Sequence, residues 1–238
     1  MSNKERFVVI SDLHFPYEDK KAIKAMLEFI KLHKVQTVLL NGDILDMYDV
    51  SSFDKSPDRI NSLQSELNKA KALFKELRKI LPEARIVFIK GNHEERLERY
   101  LKKHPELFSL DCLKLPKLLE LDTFGIEYQD KHFKLGPLKI THGSVVRKFS
   151  AYTAHAEMDK HDCSGISGHT HRLGVFYKKT PSRYMAWYEG GCLCDTDPEY
   201  VTSPDWQQGF IYGYIEKDSF SVTPIPIVDG KVKHPLED

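Results

Sequence analysis

The stretch VQTVLLNGD, residues 35–43, decides the fold. It is a short apolar run that stops in Gly42-Asp43, the pattern of a buried strand closed by a turn. The same pattern stands on either side of it. RFVVIS (6–11) stops at Asp12, and ARIVFIKGN (84–92) stops at Gly91-Asn92. The segments between have the other period. AIKAMLEFIKLHK (22–34) repeats apolar residues three and four apart, as does the long INSLQSELNKAKALFKELRKIL (60–81), which Pro82 stops. HEERLERYLKKH (93–104) reads as a third helix. Strand, helix, strand, helix, strand, helix predicts βαβ units and a mostly parallel sheet. In such sheets the working residues lie just beyond the carboxyl ends of the strands, which is where Asp12, Asp43 and Asn92 fall.

The second half has a different texture. FGIEYQD, HFKLGPLKITHG, DCSGISGH, GVFYKK, SRYMAWYEGG, GFIYGYIEKD and FSVTPIPIVDG are short strands separated by turn signals. One helix, near SAYTAHAEMDKH (150–161), interrupts them. The two halves predict an α/β fold of two facing sheets with helices outside, in a single domain over 1–238. The segment 105–122 has no clear period.

Bulk composition narrows the classes. Apolar residues make up 41% of the 238 and charged residues 29%, as in a soluble globular protein. Lys+Arg and Asp+Glu are both 35, so no broad field draws the chain to nucleic acid or membrane, although a local basic patch is compatible with this balance. The N-terminal apolar run is too short for a signal peptide, and no stretch reaches membrane-spanning length. Four cysteines without CxxC spacing read as reduced thiols, which points to a cytoplasmic protein. Cys192 and Cys194 in GGCLCD are soft metal ligands or, more simply, structural thiols.

Polar residues gather after the strands. They are Asp12 and His14 in SDLH, Asp43 in GDILD, Asn92 and His93 in GNHEE, His142 in THGS, and His169 and His171 in GHTH. Two aspartates, an asparagine and four histidines can hold two divalent cations if one aspartate bridges. Mixed oxygen and imidazole donors suit Mn²⁺, Fe or Zn²⁺ better than Ca²⁺ or Mg²⁺. Each fragment alone is weak; five of them in order, each at a strand end, are specific.

These five fragments resemble the calcineurin-like metallophosphoesterases, whose pattern is D-x-H, GD, GNH(D/E), an isolated H and G-H-x-H. The resemblance covers residues 7–171 of the 238, with no ligand missing. It implies a four-layer α/β-β/α sandwich of two facing mixed sheets flanked by helices. It implies that Asp12, His14 and His171 hold one metal, that Asn92, His142 and His169 hold the other, and that Asp43 bridges. It implies two divalent ions, Mn²⁺ foremost with Fe or Zn²⁺ as alternatives, about 3.5–4 Å apart, and in-line attack by a bridging hydroxide on a phosphate ester. His93 would act on the substrate rather than on a metal, and Asp46 in GDILD matches a carboxylate that orients it. Asn92, His93 and Arg172 would contact the substrate phosphate.

Substrate class is less legible. GNHEER resembles the protein serine/threonine phosphatase branch. That branch has Arg-Gly where this chain has Met47-Tyr48, and a glycine where it has Ser11. Arg147, Lys148, Arg172, Lys178, Lys179 and Arg183 alternate with aromatics in the second half, which tilts the expectation toward a phosphodiesterase or nuclease acting on nucleic acid or nucleotides. A monoesterase, including a phosphoprotein phosphatase, is the alternative. A non-catalytic scaffold is the other; intact ligands speak against it. The loop MYDVSSFDKSPDRI (47–60) should border the metals, and Trp206 is a rim or core aromatic. No membrane contact is expected, and oligomeric state is not encoded in any motif.

Overall fold

The structure is a computed structural model that describes residues 4–56, 62–198 and 204–233. Its elements run β1 (Glu5–Ile10), α1 (Lys20–Leu32), β2 (Thr37–Asn41), α2 (Leu63–Ile80), β3 (Arg85–Ile89), α3 (Glu95–Lys102), α4 (Pro105–Phe108), α5 (Leu115–Leu118), β4 (Ile126–Gln129), β5 (His132–Leu135), β6 (Leu138–Thr141), α6 (Tyr152–His161), β7 (Gly165–Ser167), β8 (Leu173–Lys179), β9 (Tyr184–Gly190), β10 (Gly209–Glu216), β11 (Ser219–Val228) and β12 (Lys231–Val232). The start of the helix expected over 60–81 and the end of the 47–60 loop lie outside the described residues. The segment 105–122, without clear period in the sequence, forms the two single-turn helices α4 and α5.

Two sheets result. The first has seven strands in the order β12-β11-β10-β1-β2-β3-β4, and the second has five, β5-β6-β7-β9-β8. Strands β1 to β4 are parallel, and β10 joins β1 antiparallel. The division into halves is therefore corrected at both edges of the first sheet. FGIEYQD (β4), GFIYGYIEKD (β10) and FSVTPIPIVDG (β11) belong to it and not to the second sheet. Local periodicity marks a strand but not its partner, and β1 had one edge free after pairing with β2.

Strand alternation builds the layers. Val8 and Ile10, Val38 and Leu40, and Ile86 and Phe88 face a helix-side core with Met26, Phe29 and Phe74 of α1 and α2. The alternate residues Phe7, Val9, Leu39, Val87 and Ile89 face the second sheet, where they meet Ile140, Ile166, Ala186 and Tyr188. Met185 and Trp187 point out of the far side of β9 onto Ala154 and Met158 of α6. Helices, sheet, sheet, helix: the four-layer sandwich holds, and strands buried on both faces explain why they read as unbroken apolar runs.

Helix α2 carries an unusual group to the inner side. Ser62 caps it by accepting from the Ser65 N–H. One turn later Glu66 is buried, and its Oε2 accepts the Met47 N–H at 2.7 Å. Burial pushes the Glu66 carboxyl up to about 8, with the Asp46 and Asp49 charges adding to it against the Met47 amide. The folded group keeps its proton where the unfolded one has lost it, so its stabilising protonated state is fully present below the ordinary carboxyl range and is lost as pH rises through about 8. Glu66→Gln, which mimics the protonated form, should gain stability over wild type as pH rises from 5 to 8, on the order of a few kcal/mol at full ionisation, seen as a rising difference in melting temperature. A gap that stays flat across that range in thermal melts would mean that the carboxyl ionises freely in the fold.

Candidate metal centre

Five residues of the candidate site sit in a backbone conformation that side chains usually avoid. Asp12, His14, Asp43, His169 and His171 have φ of 56°, 48°, 51°, 73° and 58°. Left-handed residues other than glycine cost of order 1–3 kcal/mol each, and they collect where function holds them. Here they turn the chain sharply at strand ends, so successive side chains converge instead of alternating. Gly42 precedes Asp43 at φ 81°, and a Cβ there would lie 2.7 Å from His142 Nδ1. At Gly168 a Cβ would lie 2.6 Å from Asp12 Oδ2, so only glycine lets the GHTH turn approach β1.

The donors fall into two overlapping sets. His14 Nε2 and His171 Nε2 are 3.0 Å apart, and His171 Nε2 lies 3.2 Å from Asp12 Oδ1. His142 Nε2 lies 3.0 Å from Asn92 Oδ1 and 3.1 Å from Asp43 Oδ2, with the His169 ring 5.2 Å away between centroids. Asp43 Oδ2 is also 3.9 Å from His14 Nε2, so it faces both sets. Asp12, His14 and His171 form one cluster able to hold an ion, and Asp43, His142 and His169 another. The fit to a divalent cation is direct. At metal–nitrogen bonds of about 2.1 Å, neighbouring ligands at right angles sit about 3 Å apart. Nε2 atoms that face one another are also what a core would avoid and a cation requires. The H-x-H spacing has its physical reading: Thr170 lies between the rings, donates to Glu189 Oε2 at 3.3 Å, and sends His169 to one set and His171 to the other.

Two of the imidazoles are steered from their far nitrogen. His142 Nδ1 donates to the Asn41 carbonyl at 2.8 Å. His171 Nδ1 lies 4.0 Å from the Cys194 thiol, beside Cys192. The cysteine pair thus lies against His171, and these three side chains are close enough to one another to hold an ion, the soft-ligand alternative to a structural pair; contact with Cys192 and burial hold the Cys194 thiol well above its ordinary range. Trp206 is half-buried and packs edge-on against the His171 ring, 4.1 Å between centroids.

Charge in the cluster is mutual. Burial would raise Asp12 and Asp43, but the surrounding imidazoles hold both well below the ordinary carboxyl range. Burial would lower His142, yet the Asp43 charge lifts it to about 10. Carboxylates raise His14 and His171 against burial in the same way. The carboxylates thus favour protonation at the nitrogens that a cation would take, so acid competes with metal.

His93 lies against both sets, grouped with His14 and Asp43: its Nε2 is 3.7 Å from Asp43 Oδ2 and its ring 4.4 Å from that of His14 between centroids. Its backbone N–H donates to Asp43 Oδ1 at 2.9 Å. Its Nδ1 faces Asp46 twice, 2.9 Å from the carbonyl and 3.2 Å from Oδ1. Asp46 Oδ1 also lies 3.6 Å from His14 Nδ1. Burial lowers the His93 pKa, with the His14 and Arg96 charges helping, so the ring is neutral near pH 7.

Two residues that sequence reasoning passed over complete the site. Glu94 is buried, and its Oε2 accepts the Asp43 and Gly91 amides while its Oε1 accepts those of Ile44 and Leu45. One carboxylate thus holds the whole GDIL turn. Arg96 donates to the Asp46 carbonyl at 2.7 Å and to His93 Nε2 at 2.8 Å. Both are in GNHEER, where acidic and basic neighbours read as helix surface. Arg172, by contrast, is not gathered with the phosphate-facing groups. It donates to the carbonyls of Asp205 and Arg147 at 3.1 and 2.7 Å and pairs with the Asp205 carboxylate, which makes it a brace between loops. Lys178 and Arg183 are likewise paired, with Asp159 and Asp162. The described part of the 47–60 loop does border the centre: Met47 follows Asp46, and Val50 to Phe53 face Asn92 across a cavity.

An α/β-β/α sandwich with convergent aspartates and histidines at its strand ends is the architecture of a metallophosphoesterase. Residues 5–173 match the calcineurin-like phosphoesterase family, and the chain belongs to it. The family binds divalent metals. Over 95% of both chains it is 31% identical to the Gene 54 protein of Mycobacterium phage D29, and 27% identical to that of phage L5, again over 95% of each. Its fold resembles a single mutant of Vps29 from Entamoeba histolytica, with TM-score 0.51, 18% identity and 96% of each chain covered. It also resembles Vacuolar Protein Sorting 29 from Cryptosporidium parvum, with TM-score 0.53, 16% identity and coverage of 97% and 95%. Among the described residues no helix is long and apolar enough to cross a membrane.

Proposed function

We propose that the protein is a metal-dependent phosphodiesterase acting on nucleic acid or nucleotides. The observation that carries the reading is Asp43: its Oδ2 faces donors of both sets, and its Oδ1 holds the backbone of His93. Asp12, His14 and His171 with Asp43 would hold one cation, and Asn92, His142 and His169 with Asp43 the other, Mn²⁺ foremost and Fe or Zn²⁺ as alternatives. Bound there, such ions supply the positive charge that binds a phosphoryl group and makes water acidic enough to attack it.

The chain's own groups supply the rest. Asp46 fixes the His93 ring through Nδ1, so Nε2 is the atom turned to the substrate. In the free protein that Nε2 accepts from Arg96. A phosphoryl oxygen arriving between them takes the guanidinium N–H, and its negative charge raises the imidazole pKa. His93 then takes a proton from solvent on Nε2 and gives it to the leaving oxygen. Arg96 replaces Arg172 as the proposed phosphate partner. A diester is favoured over a monoester because the Asn92 side opens into a cavity of about 510 Å³, which leaves space for a second ester arm. All four thiols are free, which supports a reducing, cytoplasmic setting.

Paired assays with bis(p-nitrophenyl) phosphate and p-nitrophenyl phosphate under Mn²⁺, Fe²⁺ and Zn²⁺ test this. Faster turnover of the diester is expected. Turnover of the monoester alone would make the protein a monoesterase, and no hydrolysis with any metal would return the scaffold reading.

A further inference from the structure

The cavity beside Asn92 has a composition that the chemistry at the metals does not need. Its floor is α3, and its far wall is the loop through Phe53. Arg96, Arg99 and Lys103 line it at positions i, i+3 and i+7, one face of a helix whose turn continues through Lys103. At 1.5 Å per residue they span about 10 Å, a track longer than a single phosphate. Two exposed aromatics share the same walls: Phe53 is 63% exposed and Tyr100 is 37% exposed. The Arg96 guanidinium lies over the Phe53 ring, 5.4 Å from its centroid.

Cations in the last turn of a helix have an ordinary explanation, since they face the negative end of its dipole. Arg99 also pairs with Glu95 at 2.6 Å, with both side chains largely in solvent. Exposed pairs of this kind are weak and give way to a better anion. The ordinary explanation does not account for the aromatics. Phe53, largely in solvent, and Tyr100, which packs on the His104 ring at 4.5 Å and keeps part of its ring in solvent, flank a cationic track beside the candidate metal centre. This matches the way proteins hold single-stranded nucleic acid: cations track the phosphates and bases stack on rings. Duplex bases are already stacked and paired, so their faces cannot reach such rings.

We propose that this trough binds the single strand that flanks the scissile phosphate, with neighbouring phosphates on Arg99 and Lys103 and a base against Phe53 or Tyr100. The inference rests on the phosphodiesterase reading and names its substrate class. It moves the proposed phosphate contact from Arg172, which is held between the Arg147 and Asp205 loops, to α3.

Binding can be read without turnover. Fluorescence anisotropy of a fluorescein-labelled single-stranded 15-mer DNA, with the metal-free full chain, should show tighter binding than the same sequence as a duplex. Arg99→Gln/Lys103→Gln should weaken single-strand binding about tenfold. Its log–log salt slope should be shallower by about 1.4, the value for two lost phosphate contacts on a single strand. Phe53→Ala should weaken binding with the slope unchanged. On Mn²⁺-loaded protein, the double variant should lose at least ten times more kcat/KM on the oligonucleotide than on bis(p-nitrophenyl) phosphate. Wild type that binds no strand, binds duplex as well, or loses nothing in the double variant overturns the trough. Wild type that binds the strand but hydrolyses no diester overturns the catalytic reading and leaves the trough in place.

Discussion

Asp43→Asn is expected to strip the protein of both cations while leaving it folded. The substitution is nearly isosteric. Asparagine tolerates the left-handed backbone that Asp43 adopts at φ 51°, and its amide oxygen can still accept the His93 N–H. What is lost is the charge at Oδ2, between His142 at 3.1 Å and His14 at 3.9 Å. Replacing a mere outer partner of a metal ligand costs about 10–100-fold in affinity, so removing the charge of a carboxylate that faces both sets should cost at least about 100-fold at each. The His142 imidazole, lifted to about 10 chiefly by Asp43 against its own burial, should fall back with it. The measurement is metal content by mass spectrometry after dialysis against Mn²⁺, with Trp206 emission as a second reading because that ring packs on His171. Thermal melts should show a cooperative transition in the metal-free variant. A variant that keeps wild-type affinity for two ions would show that Asp43 is not shared.

Much of this candidate centre is written into the sequence because its donor residues follow strands. A βαβ repeat puts every strand's carboxyl end at one edge, so Asp12, Asp43 and Asn92 had to meet. The GHTH segment was legible only with them; alone, two histidines one residue apart are a surface pattern. The rest was illegible for specific reasons. Glu94 gathers four amides, three of them in a turn about fifty residues away, and no local period marks a carboxylate for burial. Arg96 and Arg172 are both arginines beside a motif histidine. Only packing decides that one reaches His93 and the other Asp205. The edge strands β10 and β11 carry the same alternation as strands of the second sheet, and pairing with β1 is a long-range choice. Cys194 reaches His171 by the same kind of long-range packing, across 23 residues.

His93→Ala should separate metal binding from catalysis. The ring lies beside His14 and Asp43, but both of its nitrogens are engaged, Nδ1 by Asp46 and Nε2 by Arg96, and its backbone holds Asp43 Oδ1. Metal content should therefore match wild type, while kcat falls by about 10²–10⁴, the range for a lost general acid. The size of the loss should depend on the leaving group. A nitrophenolate departs without a proton, so bis(p-nitrophenyl) phosphate should suffer least, and an alkyl diester or an oligonucleotide most. Asp46→Asn should reproduce a weaker version of the same pattern. Asp46 is held well below the ordinary carboxyl range, where the His14 and His93 rings overcome its burial, and its charge supports protonation of His93. In the asparagine variant His93 should become less basic, so the acid form is lost at lower pH and the alkaline limb of the kcat profile moves to lower pH. A purified His93→Ala protein with full metal content and wild-type rates on an alkyl diester would remove His93 from the reaction, and with it the reason for Asp46 and Arg96 to converge on its two nitrogens.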